Sequence, residues 1–186
     1  MTNTTFYPTR KPSAHLAVAY ARNRTTSALE AAPPPSAYGV EGRPPQGNGG
    51  LFSTGPDYAR FCQMLLSGGS LHGRRYLSPE TMKLLMTVQT GDLPTGFFQS
   101  SEQGNRGTNY GWGIGTCILR VPHPGVAAML SPGTFGHGGA WGTQAWIDPL
   151  RGVAYILMLQ RSDIGNSDGS EFRRAFQQAA ADALLR

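Results

Sequence analysis

The chain has 186 residues, 39% hydrophobic and 10% aromatic, which suits one globular domain with a real core and excludes both a disordered chain and two full-sized domains. Sixteen Lys and Arg against eleven Asp and Glu leave a net charge of +5, but the arginines adjoin only at Arg74-Arg75 and Arg173-Arg174. The dense basic stripe of a nucleic-acid binder is therefore missing, and the mild basicity fits a solvated surface with a slight preference for small anions. Cys62 and Cys117 lie in apolar stretches, the four histidines are widely spaced, and no apolar run approaches the length of a membrane span. No disulfide framework, metal centre, cofactor or membrane span is expected.

Residues 1–50 read as an irregular segment. Only "HLAVAYAR" (15 to 22) resembles a strand, with Leu16, Val18 and Tyr20 alternating against alanines. The Pro- and Gly-rich run from 23 to 50 has no periodicity, and such a run in a compact domain usually covers a binding site, lies against another body or is disordered. Residues 51–186 form the structured remainder. In "STGPDYARFCQMLLSGG", Thr54 is placed to cap a helix with Asp57 three residues on and Pro56 in the first turn. Tyr58, Phe61, Cys62, Leu65 and Leu66 make one apolar stripe, and Gly68-Gly69 ends it. Ser78 and Pro79 open a second helix that buries Met82, Leu85 and Met86 and stops by Gly91. A polar, Gly-containing loop fills 91 to 109.

The last third is β-rich. "YGWGIGTCILRV" (110 to 121) reads as one strand, while "WGTQAWID" (141 to 148) and "VAYILMLQ" (153 to 160) form a tight hairpin opened by Asp148-Pro149 and closed by Gly152. The second hairpin strand is apolar on both faces and so needs a layer above and below. The two helices cover one face. A C-terminal helix announced by Asp168 and Glu171, with Phe172, Phe176, Ala179 and Ala183 facing inward, covers the other. The expected fold is α/β of the α+β type, an antiparallel sheet flanked by helices on both faces. A strand of this kind is usually central, and too few strands are visible to flank it, so one sheet edge is expected to be completed by other polypeptide.

The chemistry concentrates in "TFGHGGAWGT" (134 to 143). A lone histidine is commonly a structural hydrogen-bonding residue. Here, though, Gly138, Gly139 and Ala140 follow His137 and leave backbone amides bare, which is what an oxyanion or carboxylate needs. A ligand, another protein segment or a simple bend could each call for those glycines. No nucleophile accompanies the amides: Ser-x-x-Lys, Tyr-x-Asn, Ser-Asp-Asn and Gly-x-Ser-x-Gly are all absent, and Ser53-Thr54 in "GLFSTG" read better as a helix cap.

"GNGGLFSTGPDYARFCQMLLSGG", "LSPETMKLL", "NYGWGIG" and "TFGHGGAWGTQAWIDPLRGVAYILMLQ" closely resemble the serine β-lactamase-like hydrolases of the class C group. That group takes in class C β-lactamases, penicillin-binding-protein-like peptidases and related esterases. "MTNTTFYP" is similar to the family stretch that runs into M-x-x-T-x-F, so the resemblance spans nearly the whole chain in order. It implies a β-lactamase/transpeptidase-like fold, incomplete here. It also implies that the family's His-x-Gly motif falls on His137, Gly138 and Gly139. His137 would then donate to the substrate carboxylate or the catalytic network. Gly138 and Gly139 would let an extended substrate lie along the strand, and the Ala140 N–H would be one of two oxyanion donors. Trp141 is a candidate pocket wall, or simply a packed tryptophan. The nucleophilic serine, its lysine and the motif tyrosine would lie upstream of Met1, which would then be an internal methionine or an artificial start.

Three readings follow. The chain is the C-terminal part of a hydrolase cleaving a β-lactam, ester or amide of a small-molecule or peptide-like substrate. Alternatively it is a non-catalytic ligand- or partner-binding module derived from that fold. Or it pairs across an open sheet edge with a complementary N-terminal segment or with a copy of itself.

Overall fold

A computed structural model describes residues 1–8, 16–32, 44–93, 109–122, 127–164 and 170–184. Five antiparallel strands form the main sheet, in the order of the chain: β5 (Tyr110–Trp112), β6 (Cys117–Leu119), β7 (Phe135–Gly138), β8 (Gln144–Asp148) and β9 (Val153–Leu157). Two small hairpins, β1 (Tyr20–Arg22) with β2 (Leu29–Ala31) and β3 (Ser70–Leu71) with β4 (Arg74–Arg75), stand outside it.

Sequence-local rules account for the helices. In α1 (Gly55–Leu66) the Thr54 hydroxyl accepts from the Asp57 N–H, and Ser78 does the same for Thr81 at the head of α2 (Pro79–Met86). Helix α2 ends at Met86, short of Gly91, because Thr87 has already gone extended. Asp57 is buried at 1% exposure and also accepts from the Asn3 N–H at 2.7 Å, while Thr5 and Phe52 exchange backbone hydrogen bonds of 2.9 Å. The opening residues are thus tied to the start of α1.

Pairing register sorts the sheet into two faces. Ile118, Phe135 and Ile147 lie side by side under Cys62, Leu65 and Met82 of α1 and α2. Cys117, Trp146 and Tyr155 face the other way, toward α3 (Glu171–Leu184). The helix, antiparallel sheet, helix layering read from the sequence is what the structure has. Strand β9, covered on opposite faces by α1 and α3, is nevertheless at the sheet's edge among the described residues, with Tyr20 adding one parallel bridge at Arg161 just beyond it.

Three local expectations change. Residues 110 to 121 are a hairpin rather than one strand: β5 and β6 pair Tyr110 with Leu119, and the glycines that broke up the large residues make the turn, with Gly115 at φ +74°. In 16 to 22 the polarity is reversed; Ala19 is buried while Leu16, Val18 and Tyr20 are exposed. In α3 the inward face holds Arg173, Gln177 and Ala181, and Phe172 is exposed. The cause is Trp146, whose indole takes the Arg173 guanidinium at 3.7 Å from the ring centroid, turning the helix away from the purely apolar stripe. Asp168 and most of the loop from 91 to 109 lie outside the described residues.

Candidate functional site

Strand β7 changes character along its length. Phe135 and Gly136 are buried, with β6 on one side and β8 on the other. Strand β6 begins at Cys117, opposite Gly136, so from His137 onward only β8 continues as a neighbour. The Leu119 N–H donates to the Thr134 carbonyl at 2.8 Å and the Gly139 N–H to the Thr143 carbonyl at 2.7 Å. Backbone groups alternate sides along an antiparallel strand, so positions 135, 137 and 139 address β8 while 134, 136 and 138 address β6. The Gly138 amide is therefore aimed at the side where β6 has stopped. Ala140, next in the turn, is exposed and makes no backbone hydrogen bond among the described residues.

Gly139 is the exception to the expected row of bare amides. Its N–H is used within the turn, and a Cβ there would come within 2.2 Å of the Thr143 hydroxyl oxygen. A side chain at the second glycine would have to displace that hydroxyl, so Gly139 accommodates a close approach from within the chain, one of the alternatives the sequence left open. Trp141 is half-buried and its carbonyl accepts from the Arg161 N–H at 2.9 Å.

His137 is exposed and shares a face with Phe135, toward α1 and α2. Its Nδ1 is in hydrogen-bond contact with the Gly138 carbonyl. A carbonyl can only accept, so that contact places a proton on Nδ1 and, in the neutral ring, leaves Nε2 as the acceptor. The Trp112 ring lies 5.5 Å away, tilted by 32°. That indole is anchored through its backbone, which accepts from the Gln89 N–H at 2.7 Å and donates to the Thr90 hydroxyl at 3.2 Å.

Beside His137 the sheet and α1 part to leave a cleft of about 330 Å³. Tyr58, Phe61, Cys62 and Leu65 line one wall, Ile114 to Thr116 of the β5–β6 turn another, and Phe135 and Ala145 the floor. Of the five sequence-predicted site residues only His137 lines it; Gly138, Gly139, Ala140 and Trp141 lie beyond its rim. Burial pushes the Cys62 thiol up to about 11, so at neutral pH it is protonated and no nucleophile. Among the described residues no group of three or more metal-ligating side chains is gathered.

Sequence reasoning did not single out Trp112, Ile114 or Thr143 for the site. The first two arrive through the unread β5–β6 turn. Thr143 could have been found, since a side chain facing two glycines across a short turn marks a close approach.

A sequence model of the family described as Beta-lactamase matches residues 1–180. A Mycobacterium tuberculosis protein is 33% identical over 118 residues, which is 60% of this chain and 28% of that one. An Escherichia coli O157:H7 protein named "Putative D-alanyl-D-alanine carboxypeptidase" is 31% identical over 112 residues, 60% of this chain and 22% of that one. Among solved structures, a mutant of simvastatin synthase from Aspergillus terreus superposes with a TM-score of 0.75 at 19% identity, over 98% of this chain and 46% of its own. A β-lactamase from Mycobacterium bovis gives 0.56 at 26% identity, over 72% and 45%. The matched stretch spans less than a third of these curated relatives and under half of these solved chains.

Proposed function

The chain belongs to the Beta-lactamase family, and from that premise we propose that it is the substrate-strand portion of a serine hydrolase of the class C-like group, acting on a β-lactam, ester or amide carbonyl, with the nucleophile on polypeptide outside these 186 residues. The observation that supports the reading is the end of β7, where among the described residues the Gly138 amide is aimed past the end of β6 and the exposed Ala140 makes no backbone hydrogen bond, beside an exposed imidazole.

In the complete enzyme the serine oxygen adds to the carbonyl carbon. The carbonyl oxygen becomes negative and is held by the Ala140 N–H together with the serine's own amide. Collapse expels the leaving group, and water then releases the acyl group from the serine. Donors fixed by a hydrogen-bonded turn need no reorganisation as charge develops, and losing one such donor costs on the order of a hundredfold in rate. His137 would donate to a substrate carboxylate when its ring is protonated, or take up a proton when it is neutral. Gly138 adds no side chain that would keep an extended substrate off the strand.

The test is hydrolysis by the 186 residues alone. Neither nitrocefin nor a p-nitrophenyl ester is expected to turn over. Turnover that survives purification, with a covalent adduct mapped to a serine of this chain, contradicts the assignment of the nucleophile to other polypeptide.

A further inference from the structure

The carbonyl-holding amides and the cleft beside His137 are separate places with a fixed relation. Backbone N–H groups lie in the plane of a sheet and side chains stand perpendicular to it. A nucleophile reaching Gly138 and Ala140 therefore comes in along the sheet edge, while a group hanging from the bound carbonyl can turn down past Gly138 onto the His137 face. Resting on the acyl-transfer reading above, we propose that the cleft between α1, the β5–β6 turn and β7 is a specificity pocket for a compact, uncharged apolar group attached to the scissile carbonyl.

The walls decide the chemistry. Phe61, Cys62 and Leu65 of α1, Ile114 of the turn and Phe135 of β7 enclose the space, and no carboxylate, lysine or arginine is among the lining residues. Three of its four polar side chains are neutral: the Thr116 hydroxyl donates to the Leu85 carbonyl at 3.0 Å, burial keeps Cys62 a thiol, and burial holds Tyr58 as a phenol; the fourth is His137. A charged substituent deep in the cleft would lose its water and meet neutral groups, with the His137 imidazole confined to the rim. An apolar one loses nothing and gains roughly fourfold in affinity for each methylene it buries. At about 330 Å³ the space is at the small end of ligand pockets, so the gain must stop once a short chain fills it. His137 at the rim separates this apolar interior from the polar edge.

The experiment is an NMR titration of the ¹⁵N-labelled chain with sodium acetate, butyrate, hexanoate and octanoate, with n-hexanol as an uncharged arm. Affinity is expected to rise roughly fourfold per methylene from butyrate to hexanoate and then level off. The amides of Phe61 and Cys62 should shift together with those of Gly138 and Ala140. Ile114 is 58% exposed at the rim, so Ile114→Asp should leave folding and acetate binding intact while weakening hexanoate more than tenfold. Equal affinity for every chain length, with shifts confined to Gly138 and Ala140, overturns the pocket and leaves the acyl-transfer reading standing. Hexanol moving the cleft amides while no carboxylate moves Ala140 supports an apolar site and overturns the acyl-transfer reading. Affinity that falls as protein concentration rises, with a doubled mass, makes a second copy the occupant and overturns the ligand assignment. Shifts from none of these compounds overturn both.

Discussion

The two halves of the stretch from Phe135 to Ala140, β7 and the start of its turn, adjoin and live under opposite rules. At Phe135 and Gly136 the strand is flanked on both sides and sealed on both faces. At His137 to Ala140 it keeps one neighbour, reaches solvent and turns. The first half is held by packing, and in the second the Gly139 N–H is used within the turn while the Ala140 N–H makes no backbone hydrogen bond among the described residues. The contrast shows why such a site grows from the end of a core strand: geometry is inherited from packing, and openness comes from the neighbour's stopping two residues early.

Substitutions along this stretch should fall in a steep order. Gly136→Val should have the largest effect, because even a Cβ there would lie 2.0 Å from the Ala145 carbonyl oxygen, a backbone atom that cannot step aside. A loss of about 4 kcal/mol or more, seen as failure to give a cooperative thermal transition, is expected. Phe135→Ala empties a site that is 1% exposed and should cost about 3–5 kcal/mol in chemical denaturation.

Gly139→Ala comes next, at about 1 kcal/mol, since the 2.2 Å conflict is with a side-chain hydroxyl that can rotate. A double-mutant cycle with Thr143→Ala sharpens the point: removing the hydroxyl should recover most of that loss, and additivity of the two changes would deny the contact. His137→Ala, at an exposed position, should change stability by no more than about 0.5 kcal/mol while weakening acetate binding. A large destabilisation by His137→Ala would erase the division between the two halves.

The parts legible in the sequence were those set by local chemistry. Thr54 and Ser78 announce helix starts because a hydroxyl three residues before an N–H is sufficient to cap it. The β8–β9 hairpin is likewise local: the buried Asp148 carboxylate accepts from the Arg151 N–H at 3.0 Å and Gly152 takes φ +67°. What was missed was masked by the sequence pattern or depends on a partner distant in the chain. The β5–β6 hairpin hides behind a two-residue period that runs unbroken through its turn. The inward face of α3 is concealed because Arg173 counts as polar until Trp146 is known to lie beneath it. At the site, His137 and its glycines stand out as a motif, but only the fold reveals that Gly139 serves the bend and that Trp112 flanks the imidazole.

Amide hydrogen exchange at Gly138, Gly139 and Ala140, followed by addition of acetate, tests the central claim most directly. Gly139, bonded to Thr143, should exchange on the order of tenfold or more slowly than Ala140, and only Gly138 and Ala140 should move when the carboxylate is added. Slow exchange at Ala140, with no response to acetate at either open amide, would mean that the end of β7 is a closed turn and holds no oxyanion.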